Sequence, residues 1–143
     1  MRIRDILRDK GEEVVTISPG HTVYGAIKVL VEHDIGALVV EDGGEIRGIF
    51  TERDILRLAA GDLGDLQETP VGDVMETDLV VGVADDALDY VMEIMTRNRI
   101  RHLPIVEEGE LAGIVSIGDV ANAMRKEIEA ENRYLRDYIA GGR

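Results

Sequence analysis

The chain has 143 residues, 45% of them hydrophobic, so it is long enough to bury one substantial core. Its formal net charge of −13 argues against nucleic acid or an anionic membrane as a partner, because both would be repelled over the whole surface. It has no cysteine, and no long apolar run predicts a signal peptide or a membrane span. We therefore expect a cytoplasmic protein without disulfides.

The first half of the chain alternates helical and strand patterns. Apolar residues recur first at helical spacing and then in short runs of strand length, separated by turn residues. The predicted elements are a helix from Ile3 that is ended by Gly11, a strand at 14–17, a helix from about Thr22, strands at 36–40 and 45–50 joined by a hairpin turn at 42–44, and a helix at 52–60. The order is thus strand, helix, strand, strand, helix after one short leading helix.

The second half repeats this order after a polar, turn-rich link at residues 61–69. The predicted elements are a short helix with Pro70 in its first position, a strand at 79–83, a helix capped by Asp85 or Asp86, strands at 101–106 and 110–115, and a last helix that begins after Ser116 and continues to about Ile139. On the helix after the cap, the residues expected to face inward are Ala87, Leu88, Val91, Ile94 and Met95.

One motif occurs twice, 65 residues apart, at residues 48–54 and 113–119. In each copy an apolar strand begins at a glycine and ends at a hydroxyl residue, and an aspartate follows three positions later in a helix. Residues 35–54 and 100–119 share seven identical positions. We therefore interpret the chain as a tandem duplication with a first repeat at 1–65, a second repeat at 66–125 and a C-terminal helix extension at 126–143.

Two interpretations of the repeated turn remain open. Thr51 and Ser116 are favourable N-cap residues, and an acid three positions later resembles a capping box. The same helix start attracts phosphate, and its first-turn carboxylate can accept two hydrogen bonds from a ribose diol. A cap and a ligand site are compatible with each other.

The whole chain resembles a tandem pair of cystathionine β-synthase (CBS) domains, a pair often called a Bateman module. The segments that carry the resemblance are residues 15–19, 48–54, 99–106 and 113–119. The resemblance implies a mixed α+β fold in which two β-α-β-β-α repeats pack about a pseudo-twofold. It also implies clefts between the repeats for adenosine-containing ligands (AMP, ADP, ATP, NAD(H) or S-adenosylmethionine), and a homodimer. We therefore expect a ligand-sensing module that acts in trans on an unknown target protein, with AMP or ATP as the favoured ligand.

Carried onto this sequence, the resemblance implies that Asp54 and Asp119 bind ribose hydroxyls. It places Thr51 and Ser116 near ribose or phosphate. The other residues implied to bind ligand are Thr16, Ile17, Gly36, Ala37, Gly82, Val83, Arg101 and His102. Arg53, Arg99 and Pro104 are further candidate binding residues. Gly82 departs from the pattern, because a glycine at the position of Thr16 removes one hydroxyl contact to the base.

Positive charge is concentrated beside the second repeat. Its basic residues are Arg97, Arg99, Arg101 and His102, and the aligned residues of the first repeat are Glu32, Asp34, Gly36 and Ala37. Because arginine binds phosphate with two parallel hydrogen bonds, the second cleft is expected to hold a charged ligand tail. The alternative is that these arginines pair with nearby acids on a solvated surface.

The last helix is longer than its counterpart in the first repeat. Its apolar stripe is formed by Val120, Met124, Ile128, Leu135 and Ile139. Either a partner subunit covers the far end of this stripe, or the helix folds back on its own chain.

No motif in the sequence predicts catalysis. His21, His33 and His102 have no paired ligand spacing, and neither a nucleophile elbow nor a phosphate-binding loop is present. We expect no enzymatic activity, no catalytic cofactor and no metal site. The alternative to ligand sensing is a ligand-free scaffold or dimerisation module.

Overall fold

A computed structural model describes residues 1–11, 13–61 and 64–141 of the chain. The elements in chain order are α1 (Ile3–Lys10), β1 (Thr16–Ile17), α2 (Val23–His33), β2 (Ala37–Asp42), β3 (Glu45–Thr51), α3 (Glu52–Ala60), a 3-10 helix (Val71–Asp73), β4 (Gly82–Val83), α4 (Leu88–Asn98), β5 (His102–Glu107), β6 (Glu110–Ser116) and α5 (Ile117–Gly141). The predicted order of strand, helix, strand, strand, helix is confirmed in both halves, and the fold is mixed α+β.

The chain divides into two compact units that are interleaved along the sequence. The first-sheet unit consists of Val14–Val80 and Glu108–Leu111. The second-sheet unit consists of Met1–Glu13, Val81–Glu107 and Ala112–Arg143. The leading helix α1 is therefore part of the unit that contains the second sheet. The repeat bounds at 1–65 and 66–125 remain a prediction about the duplication.

The first-sheet unit contains a three-stranded sheet in the order β1-β2-β3. Strand β1 runs parallel to β2, and β2 and β3 form an antiparallel hairpin. The hairpin turns at Gly43 and Gly44, whose φ angles of 60° and 83° favour glycine. The core packs α2 against the sheet through Val23, Ala26, Leu30, Leu38, Val40 and Phe50.

The second-sheet unit repeats this arrangement with the order β4-β5-β6. Its core side chains include Leu88, Val91 and Met95 of α4, Leu103 and Ile105 of β5, and Val120 of α5. Helix α1 adds the buried side chains Ile3 and Ile6. A Cβ atom on Gly113 would lie 2.6 Å from Leu7 Cδ2, so the glycine allows α1 to approach β6 closely.

Several predicted boundaries are confirmed by the ends of the helices. Gly11 follows α1 with a φ of 88°, and the Thr22 hydroxyl caps α2 by accepting a hydrogen bond from the Gly25 N–H at 3.0 Å. The last helix α5 continues to Gly141, as its pattern predicted.

Other predicted boundaries are wrong. Strands β1 and β4 are two residues long instead of four and five, because each pairs only with one short stretch of a parallel neighbour. Asp85 and Asp86 do not cap α4, which begins after Ala87. The Asp86 carboxylate instead accepts the Val83 N–H at 2.9 Å and closes the turn after β4. Pro70 precedes the 3-10 helix rather than occupying its first position.

The far end of the α5 stripe is exposed. Val120 is buried, but Ile128, Leu135 and Ile139 are 57%, 50% and 76% exposed. In the described part of the chain, α5 therefore does not fold back to cover these side chains. No helix among the described residues is both long enough and apolar enough to cross a membrane.

Candidate functional site

The repeated turn forms the same cap in both units. The Thr51 N–H donates to Asp54 Oδ2 at 2.8 Å, and the Ser116 N–H donates to Asp119 Oδ2 at 2.8 Å. In return, the Asp119 N–H donates to Ser116 Oγ at 3.0 Å. The capping interpretation is thus confirmed for both turns, and each cap fixes the orientation of its carboxylate.

The start of each central hairpin lies beside its turn. The Glu52 N–H donates to the Gly36 carbonyl at 3.1 Å, and the Ile117 N–H donates to the Arg101 carbonyl at 2.8 Å. In the first-sheet unit, Ala37 also pairs directly with Thr51. The structure therefore brings the predicted pre-strand residues next to the turn in both units.

The remaining predicted site residues of the first-sheet unit lie on β1 and α3. Thr16 is half-buried opposite Val39, and Ile17 is buried opposite Val40. Because the Ile17 side chain is in the core, only its backbone is available to a ligand. Arg53 is exposed on α3.

In the second-sheet unit, Gly82 and Val83 pair with Ile105 and Val106. A Cβ atom on Gly82 would lie 2.9 Å from Leu103 Cδ2. A threonine at this position would require the buried Leu103 side chain to shift, so the glycine suits the local packing.

The predicted basic residues occupy different environments. Arg99 and Arg101 are exposed, His102 is half-buried at the start of β5, and Pro104 is buried within that strand. Arg97 pairs with Glu93 one turn earlier on α4, so the solvated-surface alternative is confirmed for this arginine.

The two aspartates differ in their electrostatics. Asp54 is only 6% exposed, and burial raises the pKa of its carboxyl group. The hydrogen bond from the Thr51 N–H opposes this shift, as does the Arg57 guanidinium at 4.0 Å from Oδ1. Burial is the stronger effect, so ionised Asp54 is disfavoured relative to an exposed aspartate.

Asp119 has a partner that the sequence did not predict. Burial would raise the pKa of Asp119, but hydrogen bonds from Lys10 and from the Ser116 N–H, together with the Lys10 charge, lower it overall. Lys10 Nζ lies 2.7 Å from Asp119 Oδ2 and 3.0 Å from the carbonyl oxygen of Ile114. Lys10 is the last residue of α1, 109 positions away in the chain, so no local pattern links it to the turn.

A pocket of about 130 Å³ lies beside this ion pair, within the second-sheet unit. Lys10 and Asp119 line it, and α5 contributes Asn122 and Lys126. The second carboxylate thus adjoins a small cavity whose lining also includes Asp9 and two lysines.

Comparison with known proteins identifies the fold described above. The model of the CBS domain matches residues 3–61 and again residues 71–126. This chain belongs to the CBS domain family. The resemblance that the sequence motifs indicated is therefore confirmed, with one CBS domain in each half of the chain.

Two curated relatives cover most of the CBS domain pair. This chain is 38% identical over 149 residues to the mitochondrial CBS domain-containing protein CBSX3 of Arabidopsis thaliana. The matched region covers 98% of this chain and 72% of the relative. The chain is 40% identical over 117 residues to the CBS domain-containing protein YhcV of Bacillus subtilis, covering 80% and 82% of the two chains.

Solved structures show the same fold. The CBS-domain containing protein ATU1752 of Agrobacterium tumefaciens has a TM-score of 0.83 and 42% identity, covering 87% of this chain and 99% of that one. The CBS domain pair of protein MJ0100 was solved with 5′-methylthioadenosine and S-adenosyl-L-methionine. It has a TM-score of 0.78 at 23% identity, covering 89% and 98% of the two chains, and this likeness shows the fold alone.

Proposed function

We propose that this CBS domain pair is a ligand-sensing regulatory module that binds an adenosine-containing ligand through Asp54 and Asp119. The observation that carries the proposal is the matched pair of turns, in which a backbone N–H holds each carboxylate by Oδ2 at the same distance of 2.8 Å. A carboxylate has about four acceptor positions, so one that is fixed in this way retains acceptors for two adjacent ribose hydroxyls.

The burial of Asp54 supports a binding role for the first turn. A helix cap does not require a carboxyl group that is 6% exposed, and burial makes the ionised form costly. Buried carboxyl groups with shifted pKa values are more frequent at functional sites than elsewhere. A ligand diol that donates hydrogen bonds to Asp54 would offset this cost.

The favoured ligand is an adenine nucleotide that bears phosphate, such as AMP or ATP. Arg101 is the proposed phosphate-binding residue. Its carbonyl accepts a hydrogen bond from the Ile117 N–H of the second turn, and its side chain is exposed. A guanidinium group in this position is suited to a phosphate. At the level of the fold, the adenosine compounds bound to MJ0100 are consistent with this class of ligand.

Regulation in trans and dimerisation belong to the same proposal. The exposed side chains Ile128, Leu135 and Ile139 form an apolar stripe on α5 that a second copy of the chain would cover. Ligand occupancy would then be transmitted to an unknown target protein from a cytoplasmic homodimer.

A thermal-shift screen tests the proposed ligand class. AMP, ADP, ATP, NAD(H) and S-adenosylmethionine would each be added at increasing concentration. The controls are the free base adenine and guanosine nucleotides. A ligand that binds only the folded state raises the melting temperature in proportion to the logarithm of its concentration. If every adenosine compound leaves the melting temperature unchanged, the proposed function is wrong.

The second candidate is a ligand-free scaffold or dimerisation module, and the exposed stripe on α5 favours it. The protein has four Tyr and no Trp and therefore absorbs weakly at 280 nm. A co-purified nucleotide would appear as excess absorbance near 260 nm, and its absence together with a negative screen would favour the scaffold.

A further inference from the structure

The ammonium group of Lys10 contacts two acceptors of the second turn. Its Nζ atom donates to Asp119 Oδ2 at 2.7 Å and to the Ile114 carbonyl at 3.0 Å. These two acceptors belong to the turn that is proposed to hold a ribose. A ligand that uses Asp119 must therefore share or replace this lysine contact.

The first turn has no equivalent lysine. Aligning Ile3 with Val71 places Lys10 opposite Asp78, an acid. Ile49, the counterpart of Ile114, receives its hydrogen bond from the backbone N–H of Glu76 at 3.0 Å. The carbonyl of this strand residue thus accepts a hydrogen bond from a neutral backbone amide in the first-sheet unit and from the Lys10 ammonium in the second-sheet unit.

The lysine is one of two in the wall of a pocket that Asp9 and Asp119 also line. Lys10 and Lys126 are two of only three lysines in a chain with a net charge of −13, and both line the pocket beside Asp119. Asn122 adds an amide to the same wall. Lysine and carboxylate side chains in one pocket wall fit a ligand in which an anion lies close to a diol.

We propose that Lys10 determines the specificity of the Asp119 site by selecting ligands that carry a phosphate next to the ribose. This inference rests on the proposed function. A nucleoside that binds Asp119 competes with the Lys10 ammonium for this carboxylate, because Lys10 Nζ and the Ser116 N–H already contact its Oδ2 atom. A nucleotide that binds Asp119 through its diol can offer its phosphate to Lys10, and Lys126 lines the same pocket.

Calorimetric titration with adenosine and with AMP tests the role of Lys10. The variants are Lys10→Met, which removes the charge, and Lys10→Arg, which keeps it. Lys28→Met is the matched control, because Lys28 lies on α2 in the first-sheet unit with its Nζ over the Tyr24 ring. Each titration is repeated in an Asp54→Asn background, so that the measured difference arises at the Asp119 site.

The wild type is expected to bind AMP more tightly than adenosine. Lys10→Met should weaken AMP binding by about tenfold or more, the typical loss of one charge-assisted hydrogen bond, while adenosine binds as well as before or better. Lys10→Arg should retain most of the preference for AMP, and Lys28→Met should change neither affinity.

If Lys10→Met binds AMP and adenosine with the same ratio as the wild type, the role of Lys10 is refuted while the proposed function stands. If the wild type binds neither adenosine nor AMP nor any other adenosine compound, the proposed function fails and this inference fails with it.

Discussion

Asp54 and Asp119 are predicted to respond in opposite directions when each is changed to asparagine. Because the Lys10 and Ser116 contacts outweigh burial and lower the pKa of Asp119, its ionised form stabilises the folded protein. Because burial outweighs the Thr51 and Arg57 contacts and raises the pKa of Asp54, its ionised form costs folding free energy. Asparagine keeps an acceptor oxygen for the backbone N–H in both caps, so the caps themselves should survive.

The exposure of the Lys10–Asp119 pair sets the expected magnitude. The two side chains are 40% and 27% exposed, so solvent screens the pair despite its 2.7 Å distance. We expect Asp119→Asn to lower the free energy of unfolding at neutral pH by about 0.5–1 kcal/mol. For a chain of this size that corresponds to a melting temperature about 1–4 °C lower. Asp54→Asn should leave the melting temperature unchanged or raise it.

The two effects also have opposite pH dependence. The stabilisation from Asp119 is present above the pKa of an unfolded aspartate and is lost as the pH falls through its lower folded pKa. The cost of Asp54 is absent below the unfolded pKa and grows as the pH rises through its higher folded pKa. The difference between the two variants should therefore be largest at neutral pH and shrink in acid.

Thermal unfolding of the wild type and both variants, followed by circular dichroism from neutral to acidic pH, measures this difference. Asp89→Asn, at an exposed position in the first turn of α4, is the matched control for loss of a first-turn charge, and both differences are measured relative to it. If Asp54→Asn is destabilised at neutral pH and Asp119→Asn is not, the electrostatic reasoning is wrong.

Three further predictions concern α5, two glycines and Arg101. Truncation after Arg125 should weaken a homodimer in light scattering across a dilution series; the exposed fractions of Ile128, Leu135 and Ile139 amount to nearly two full side chains, or roughly 3–5 kcal/mol per helix before association entropy. An unchanged dimer constant would exclude this role for α5. In chemical denaturation, Gly48→Ala should cost about 1–3 kcal/mol and more than Gly113→Ala, because the new Cβ meets the Glu76 backbone oxygen at 2.7 Å in the first case and the movable end of Leu7 in the second. Equal losses would contradict this. Arg101→Ala should reduce both the affinity for AMP and its decrease with added salt in calorimetry, and an unaltered salt dependence would remove Arg101 from the site.

Much of the fold could be predicted from the sequence because its signals are local. The period of the apolar residues, the glycines at hairpin turns and the repeated motif place the helices, the hairpins and both caps. The predicted lengths of the short strands β1 and β4 are too long, because their apolar runs continue beyond the two residues that pair with a neighbour. Asp86 was predicted as a cap because the sequence does not distinguish a capping aspartate from one that closes a turn.

Local patterns predicted the candidate site only where its residues are neighbours in the chain, and the family resemblance added Gly36 and Arg101 beside the turns. Thr51 with Asp54, and Ser116 with Asp119, are three positions apart and were identified as turns. The contact between Lys10 and Asp119 depends on the packing of α1 in the second-sheet unit, which no periodic pattern reveals. Its one sequence signal is the difference in charge between Lys10 and the aligned Asp78. The close packing of Leu103 against Gly82 is equally non-local.

The most direct test of the proposed function is the affinity of AMP for the wild type and for Asp119→Ala, measured by calorimetry with Asp89→Ala as the control. Circular dichroism of each variant would establish that it is folded. Loss of the charge-assisted contact to the ribose is predicted to weaken binding by at least about tenfold, and Asp89→Ala should match the wild type. Equal affinity of AMP for the wild type and for a folded Asp119→Ala would contradict the assignment of Asp119 as a ribose-binding residue.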